Sequence, residues 1–545
     1  MPRERQTGSP LLFDDEQIHE FIVNGYVVLN PEVPDDLHES ILQKLQFVFE
    51  EEFNPGNNIL PRVPEMYRIL NSPEVQGALI SVLGENVIEH PHRHCHYIGP
   101  GAEDGPPQRS LAENCHQDSY TPLARPRQHY PRYARIMYYP QDTPVELGPT
   151  HVIPGTHYNK AMTDEDRARP IPIAGKAGTV SITHFDVGHA AGINLLDQPR
   201  HMIKFVYVRA EEPVAPSWNC LESQWRRPKD LQAPYDLEVA WSHIWDWMCG
   251  KRDRYESLHP NGPIADDAEL MPLIAELSAD RDLHTRLRAM RVLAIKGERA
   301  AEAVPALINL LNTDHQAARV AAVYALGAIG SPSVEPLVSV LRESGRREDA
   351  HPVPRPWKDG VVAMDDAANG LAAVGASALP ALIDLLSHNS EWVRVNAAFA
   401  LGEMDSGAAE AVPDLARCLE DPSHCVVRTA ADALGSIRKG TTASIPGLSR
   451  LLRPGRSGWT DAGREGWTAD DQVRINAALA FARMGRDAAQ AEDILIEALD
   501  DPCGQVASYA VDALQRIGSN AAVKAAMDYL HSRRWDETIV KGRRY

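Results

Sequence analysis

His116 and Asp118 stand two apart in Asn114-Cys115-His116-Gln117-Asp118-Ser119-Tyr120. In an extended run, side chains alternate across the backbone, so this imidazole and this carboxylate share a face. Together they make two-thirds of a 2-His-1-carboxylate triad, the donor set that holds non-haem Fe(II) and leaves the opposite coordination positions open. The third ligand must be distant in sequence, and the best candidate is His189 in His184-Phe185-Asp186-Val187-Gly188-His189. Arg200 follows eleven residues later. Its guanidinium suits a carboxylate gripped through two parallel hydrogen bonds. An H-x-D pair by itself is read first as a polar loop without metal; the order and spacing of the other pieces change that reading.

Short elements must position these residues. Asp14-Asp15-Glu16 opens a helix with Ile18, Phe21 and Ile22 on one face and acids at its positive end. Asn24-Gly25 breaks it. Residues 26–29 and 133–139 read as strands, and 34–52 and 73–84 as helices. Residues 151–157 form a short strand ending in a Pro-Gly turn, and 158–172 a polar loop or helix. Residues 178–183 read as a strand delivering His184 and His189, and 203–208 as the last strand, with Arg200 at its start. Many short strands punctuated by Gly and Pro indicate an antiparallel barrel or jelly roll. His90, His92, His94 and His96 alternate along 87–97. They read as a strand beside the site, or alternatively as a second, cupin-like metal centre, and Pro91 fits poorly inside a central strand. His151, His157 and His184 read as structural histidines, with contact behind the metal open to His184; Cys115 is assigned no chemistry.

Residues 14–215 resemble the phytanoyl-CoA dioxygenase family of Fe(II)/2-oxoglutarate oxygenases. The resemblance rests on Phe21-x-x-Asn24-Gly25-Tyr26-Val27-Val28-Leu29, His116-Gln117-Asp118-x-Tyr120, Val152-Ile153-Pro154-Gly155-Thr156-His157, and His189…Asn194…Arg200, in family order. It implies a double-stranded β-helix, or jelly roll, with Fe(II) bound by His116, Asp118 and His189. It also implies Arg200 on the distal carboxylate of 2-oxoglutarate, and O2 as co-reactant. Asp118 implies hydroxylation or another oxidation rather than halogenation, because related halogenases carry a small residue there. The chain departs from the family at Leu147, where Asn is usual, at Ala191, where a small hydroxyl is usual, and before Gly99-Pro100-Gly101, where a Lys is usual. The departures fall on the cosubstrate pocket and spare the metal set.

The length, 545 residues, allows three or four domains. The net charge of −20 speaks against a general nucleic-acid binder. Seven scattered cysteines with no C-x-x-C pair favour reduced thiols and a cytoplasmic location. No run reads as the ~20 apolar residues of a membrane helix, and the first residues carry no apolar signal core.

Residues 216–262 are rich in tryptophan, and packing against neighbours is the plain reading. From about 266 the chain becomes Ala/Leu/Val-rich and periodic. Pro380, Pro413 and Pro446 are spaced by 33, each followed by a second segment such as Val395-Asn396-Ala397-Ala398-Phe399-Ala400-Leu401-Gly402. Each unit is expected to be a helix pair, with Pro starting the first helix and Gly ending the second. A fixed period of paired helices means an α-solenoid, and it resembles HEAT repeats. Insertions at 343–365 and 454–470 are expected to touch the oxygenase or a partner.

The expected division is therefore an oxygenase domain at 12–215, a Trp-rich connector at 216–263, an all-α solenoid at 264–535 and a tail at 536–545. The expected function is oxidation of a small-molecule or carrier-bound substrate, the solenoid docking a protein partner or shaping the substrate entrance. The alternative is a non-catalytic scaffold with a degenerate oxygenase fold.

Overall fold

The computed structural model describes residues 8–52, 54–101, 110–118, 120–123, 127–251, 253–258, 269–350, 364–456, 458–459 and 468–532. Asp14 caps the first helix, Asp15–Asn24, through a reciprocal capping box with Gln17. Gly25, at φ 83°, turns the chain out of it, a conformation that favours glycine. Among the described residues eight strands follow: β1 Tyr26–Leu29, β2 Val87–Ile98, β3 Tyr133–Tyr138, β4 Thr150–Ile153, β5 Ile171–Pro172, β6 Val180–His184, β7 Gly188–Ala191 and β8 Arg200–Arg209.

They form two antiparallel sheets, one in the order β1-β6-β3-β8-β2 and one in the order β5-β4-β7. Among the described residues the two sheets do not close into a barrel, so the jelly-roll expectation holds as an open sandwich. Pro91 sits in β2 at a register shift between His90 and Arg93, on the edge of the larger sheet. An edge bulge is where a strand tolerates proline. Helix Pro73–Leu83, with Pro in its first turn and Ser72 as cap, packs across β2, β3 and β6.

The connector is cement rather than a lid. Trp218, Trp225, Trp241, Trp245 and Trp247 are all buried. His19 stacks on Trp245 at 4.3 Å, and Trp218 donates to Asp15 at 2.7 Å.

The C-terminal half is a solenoid of paired helices. Pro305, Pro380, Pro413 and Pro446 each stand in the first turn of a unit's first helix. The glycines of the repeated second segment do not end their helices. Gly327, Gly402 and Gly435 lie inside Gln316–Ile329, Glu391–Glu403 and His424–Ile437. A Cβ on Gly402 would stand 3.0 Å from the Ala433 Cα, and one on Gly435 2.8 Å from the Ala480 Cα. They let neighbouring helices touch; capping falls to Gly330, Gly375 and Gly485. One stretch corrects the membrane expectation, since Asp366–Leu385 is long and apolar enough to cross a bilayer by length and composition. It is broken at Gly375, φ 76°, into Asp366–Val374 and Leu379–Leu385, which stack within the repeats.

The solenoid is closed on the sandwich. Arg132, just before β3, bonds Glu403 and Asp405 at 2.9 Å each, with all three side chains buried. Asp405 holds a left-handed backbone at φ 51° and also accepts from Trp247 at 2.8 Å. His129 meets the Tyr324 hydroxyl at 2.9 Å, and His90 meets that of Tyr509 at 2.5 Å. Asn476 donates to the Pro122 carbonyl at 2.8 Å. The second helices of successive repeats therefore face the sandwich. Of the insertions, 343–350 continue the helix Val334–Ala350 and Trp459 packs beside His424. Residues 351–363 and 460–467, with Trp357 and Trp467, lie outside the described residues, as do the turn at 261–263 and the tail.

Candidate metal centre

His116 lies in no regular strand. It forms an isolated antiparallel bridge with His189 of β7, each backbone N–H donating to the other's carbonyl at 2.9 Å. That exchange sets the two residues directly opposite, and their ring centroids are 4.3 Å apart. Asp118, two further on, enters the same space. His116 Nε2 is 3.6 Å from Asp118 Oδ1, and His189 Nε2 is 3.5 Å from Asp118 Oδ2. One donor atom from each residue fits within 4.8 Å of the others. With metal–donor bonds of about 2.1 Å, cis ligands stand about 3 Å apart, so the cluster needs only a small contraction to hold an octahedral ion.

Gln117 points the opposite way and ties the segment to its neighbours. Its amide donates to the carbonyls of Thr156, Asn159 and Asp186, and accepts from Arg127 at 2.9 Å. Arg127 also bonds the Asp186 carboxylate at 2.7 Å and the Asp118 carbonyl at 3.2 Å. Thr156, in the Pro-Gly-Thr-His turn, accepts from Gly188 N at 2.8 Å and so fixes the start of β7. His157 bonds the Ile22 carbonyl at 3.0 Å, His151 the Pro149 carbonyl, and His184 Nδ1 accepts from Asp186 N. Each of the three bonds the backbone, and none joins the His116, Asp118 and His189 cluster.

Two cations flank Asp118. Arg135 of β3 bonds its Oδ2 at 2.6 Å, and Lys204 of β8 reaches the same oxygen at 3.2 Å. Burial pushes the Asp118 carboxyl up, but the Lys204 ammonium and the Arg135 guanidinium outweigh it and hold the group well below the usual range. Burial and Arg135 hold His189 well below its ordinary value, so its ring is neutral and free to ligate. Arg135 Nη1 stands 3.1 and 3.0 Å from the two ring nitrogens of His189. Near-equal distances place the guanidinium against the ring rather than in line with the Nε2 lone pair a metal would use. The donor set therefore fits a divalent ion. The His116 side chain is 52% exposed against 10% for Asp118 and 7% for His189, so the cluster opens on the His116 side.

Arg200 is buried at the start of β8, donating to the Gly148 carbonyl at 3.1 Å and the His96 carbonyl at 3.2 Å. The four histidines of β2 do not gather as a metal site. His90 turns to Tyr509, and His92, His94 and His96 have centroids 4.8–6.4 Å apart. Among the described residues the only group arranged to hold a metal ion is His116, Asp118 and His189. Instead, His92 stacks on Tyr120 at 4.3 Å and, with His96, flanks Lys204. The Cys115 thiol is raised by burial and inert.

Sequence reasoning missed Arg135, Lys204 and Arg127. The available signal was a charged residue inside an apolar strand, which is informative because buried charge is rare unless paired.

Residues 32–202 match the family model of phytanoyl-CoA dioxygenase (PhyH). Residues 270–351, 367–460 and 467–539 match HEAT repeats. The chain thus joins a domain of that family to a HEAT array. No curated protein matches it. Similar solved structures include EctD from S. alaskensis with 2-oxoglutarate and 5-hydroxyectoine, 17% identical over 43% of this chain and 87% of that one, TM-score 0.31. Another is the epimerase SnoN with Fe3+, alpha ketoglutarate and nogalamycin RO, 17% identical over 40% and 93%, TM-score 0.30. A third is the non-heme alpha ketoglutarate dependent carbocyclase SnoK from nogalamycin biosynthesis, 18% identical over 37% and 88%, TM-score 0.30. Likenesses at these TM-scores carry no weight for the chemistry of the site.

Proposed function

We propose that this protein is an Fe(II)- and 2-oxoglutarate-dependent dioxygenase that hydroxylates, or otherwise oxidises, a small organic molecule. The observation that carries the reading is the convergence of His116, Asp118 and His189 on one point inside a phytanoyl-CoA dioxygenase family domain. In this reading the three are the metal ligands. When bound, the iron supplies the oxidative chemistry, using O2 and the keto acid as co-reactants.

The chain's own residues supply geometry. The His116–His189 bridge fixes two ligands against each other. Gln117 and Arg127 hold the segment between them, and such partners behind the ligands commonly tune affinity by 10–100-fold. With Arg135 and Lys204 on Asp118 Oδ2, Oδ1 is the oxygen left for the ion. Arg200 keeps its Nη2 edge for a carboxylate after bonding two carbonyls through Nε and Nη1, which supports it as the handle for the distal end of 2-oxoglutarate. The intact donor set speaks against a degenerate scaffold. The solenoid's inner helices already face the oxygenase domain, so its role in this reading is to brace the site, leaving its outer helices for a protein partner. Seven free cysteines support a cytoplasmic setting.

The test is an anaerobic titration with Fe(II) and then 2-oxoglutarate, followed by O2-dependent succinate formation against a metabolite extract. His116→Ala and Asp118→Ala are expected to lose at least tenfold in metal affinity and all coupled turnover. Arg200→Ala is expected mainly to raise the 2-oxoglutarate requirement. Wild-type metal retention in both ligand variants overturns the assignment.

A further inference from the structure

We infer that the molecule oxidised here carries an anionic group, a carboxylate or a phosphate ester, and that Lys204 seats it beside the metal cluster. The inference rests on the dioxygenase reading above and names its substrate class.

Lys204 points from β8 into the space between the sheets, its side chain only 5% exposed. An ammonium has three donors, and among the described residues one of them is used, on Asp118 Oδ2 at 3.2 Å. That oxygen already accepts from Arg135 at 2.6 Å. One carboxylate charge therefore serves two buried cations before any metal arrives. Among the described residues no other acid acts on Lys204. A buried ammonium without a counter-ion of its own is costly, and persists where a ligand completes it.

The lining around Lys204 shows the same deficit. Among the described residues the Nε2 atoms of His92 and His96 are buried without hydrogen-bond partners, and the buried Tyr120 hydroxyl turns toward Asp118. The Tyr120 ring centroid lies 5.1 Å from the Lys204 ammonium. These groups offer donors to a ligand rich in acceptor oxygens. The charges agree. A divalent ion, Lys204, Arg135 and Arg200 face the single charge of Asp118 and the two of the keto acid, an excess of two positive charges in a buried chamber. Arg200 and Lys204 leave β8 four residues apart, about 13 Å along the strand at its rise per residue, which gives room for two separate anionic groups. The exposed His116 edge gives a path from solvent.

The experiment uses the full chain with Fe(II), without oxygen, as wild type, Lys204→Met and Lys204→Arg. Calorimetry first follows 2-oxoglutarate binding, then octanoate, inorganic phosphate and the neutral octanol into the 2-oxoglutarate complex. At least one anion is expected to bind the wild type, at least tenfold more weakly to Lys204→Met and within threefold of wild type to Lys204→Arg. The 2-oxoglutarate Kd is expected to move less than threefold. A tenfold loss of 2-oxoglutarate affinity in Lys204→Met makes Lys204 a keto-acid handle and overturns the inference. So do anions that bind Lys204→Met as well as wild type, octanol matching octanoate, or no anion binding to wild type. A wild type that does not take up 2-oxoglutarate fails at the first titration, and that outcome refutes the dioxygenase reading itself.

Discussion

The sandwich and the solenoid bury different kinds of atom. The sandwich domain encloses Arg127, Arg135, Lys204, Asp118, Asp186, His184 and His189, all buried and most of them charged. Between the solenoid's helices lie Ala398, Ala431, Ala478, Leu401, Leu434 and Leu479 with glycines at the contacts. The first interior is assembled from pairs that must all be satisfied. The second is mainly close-packed hydrocarbon that gains from every contact, with a few charged pairs such as Arg483–Asp432 enclosed in it. Where they meet, the seam takes the character of the sandwich, with Arg132 held by Glu403 and Asp405. The difference teaches that the polar interior is the vulnerable one, and that the array supplies part of its support.

Acid is expected to break the comparison most visibly. Burial pulls His19 and His129 down to about 4, and His90 and His184 down to about 3, all on the sandwich side. Below the unfolded value near 6.5, the unfolded chain binds protons that the folded one does not, so stability falls as pH falls. The loss is about 1.4 kcal/mol per pH unit for each such histidine, or about 2 kcal/mol each by pH 5. Tryptophan fluorescence of the connector should therefore change at higher pH than helical circular dichroism; coincident transitions would remove the distinction.

Arg132→Met is expected to cost about 3–5 kcal/mol by leaving Glu403 and Asp405 buried without a cation. The urea midpoint reads this, and adding Glu403→Gln should recover part of it. Gly435→Ala probes the hydrocarbon side, where a methyl would press on the Ala480 backbone. About 1–3 kcal/mol is expected, with metal affinity unchanged; an equal loss of metal binding would show the two interiors to be one.

Legibility followed the range of the interaction. His116 and Asp118 were readable because two residues on an extended run share a face, and the solenoid because its pattern recurs every 33 residues. The open sandwich was readable as short punctuated strands. The seam was not, because Arg132 and Glu403 are 271 residues apart and each alone looks like a surface charge. Gly402 and Gly435 misled because Ala-Leu-Gly suits a helix end as well as a helix contact, and only the neighbouring helix decides. Arg135 and Lys204 were hidden because β3 and β8 are buried on both faces, so alternation marks no inward side.

His116 lies in the open while its two companions are enclosed. An ion departing this cluster sheds that ring first, without disturbing β7 or the loop that carries Asp118. Chelators are therefore expected to act at the rim, removing an ion by local exchange without global unfolding. Arg135 and Lys204 anchor Asp118 with or without an ion, so the emptied protein is expected to keep its shape and to accept another divalent ion for spectroscopy.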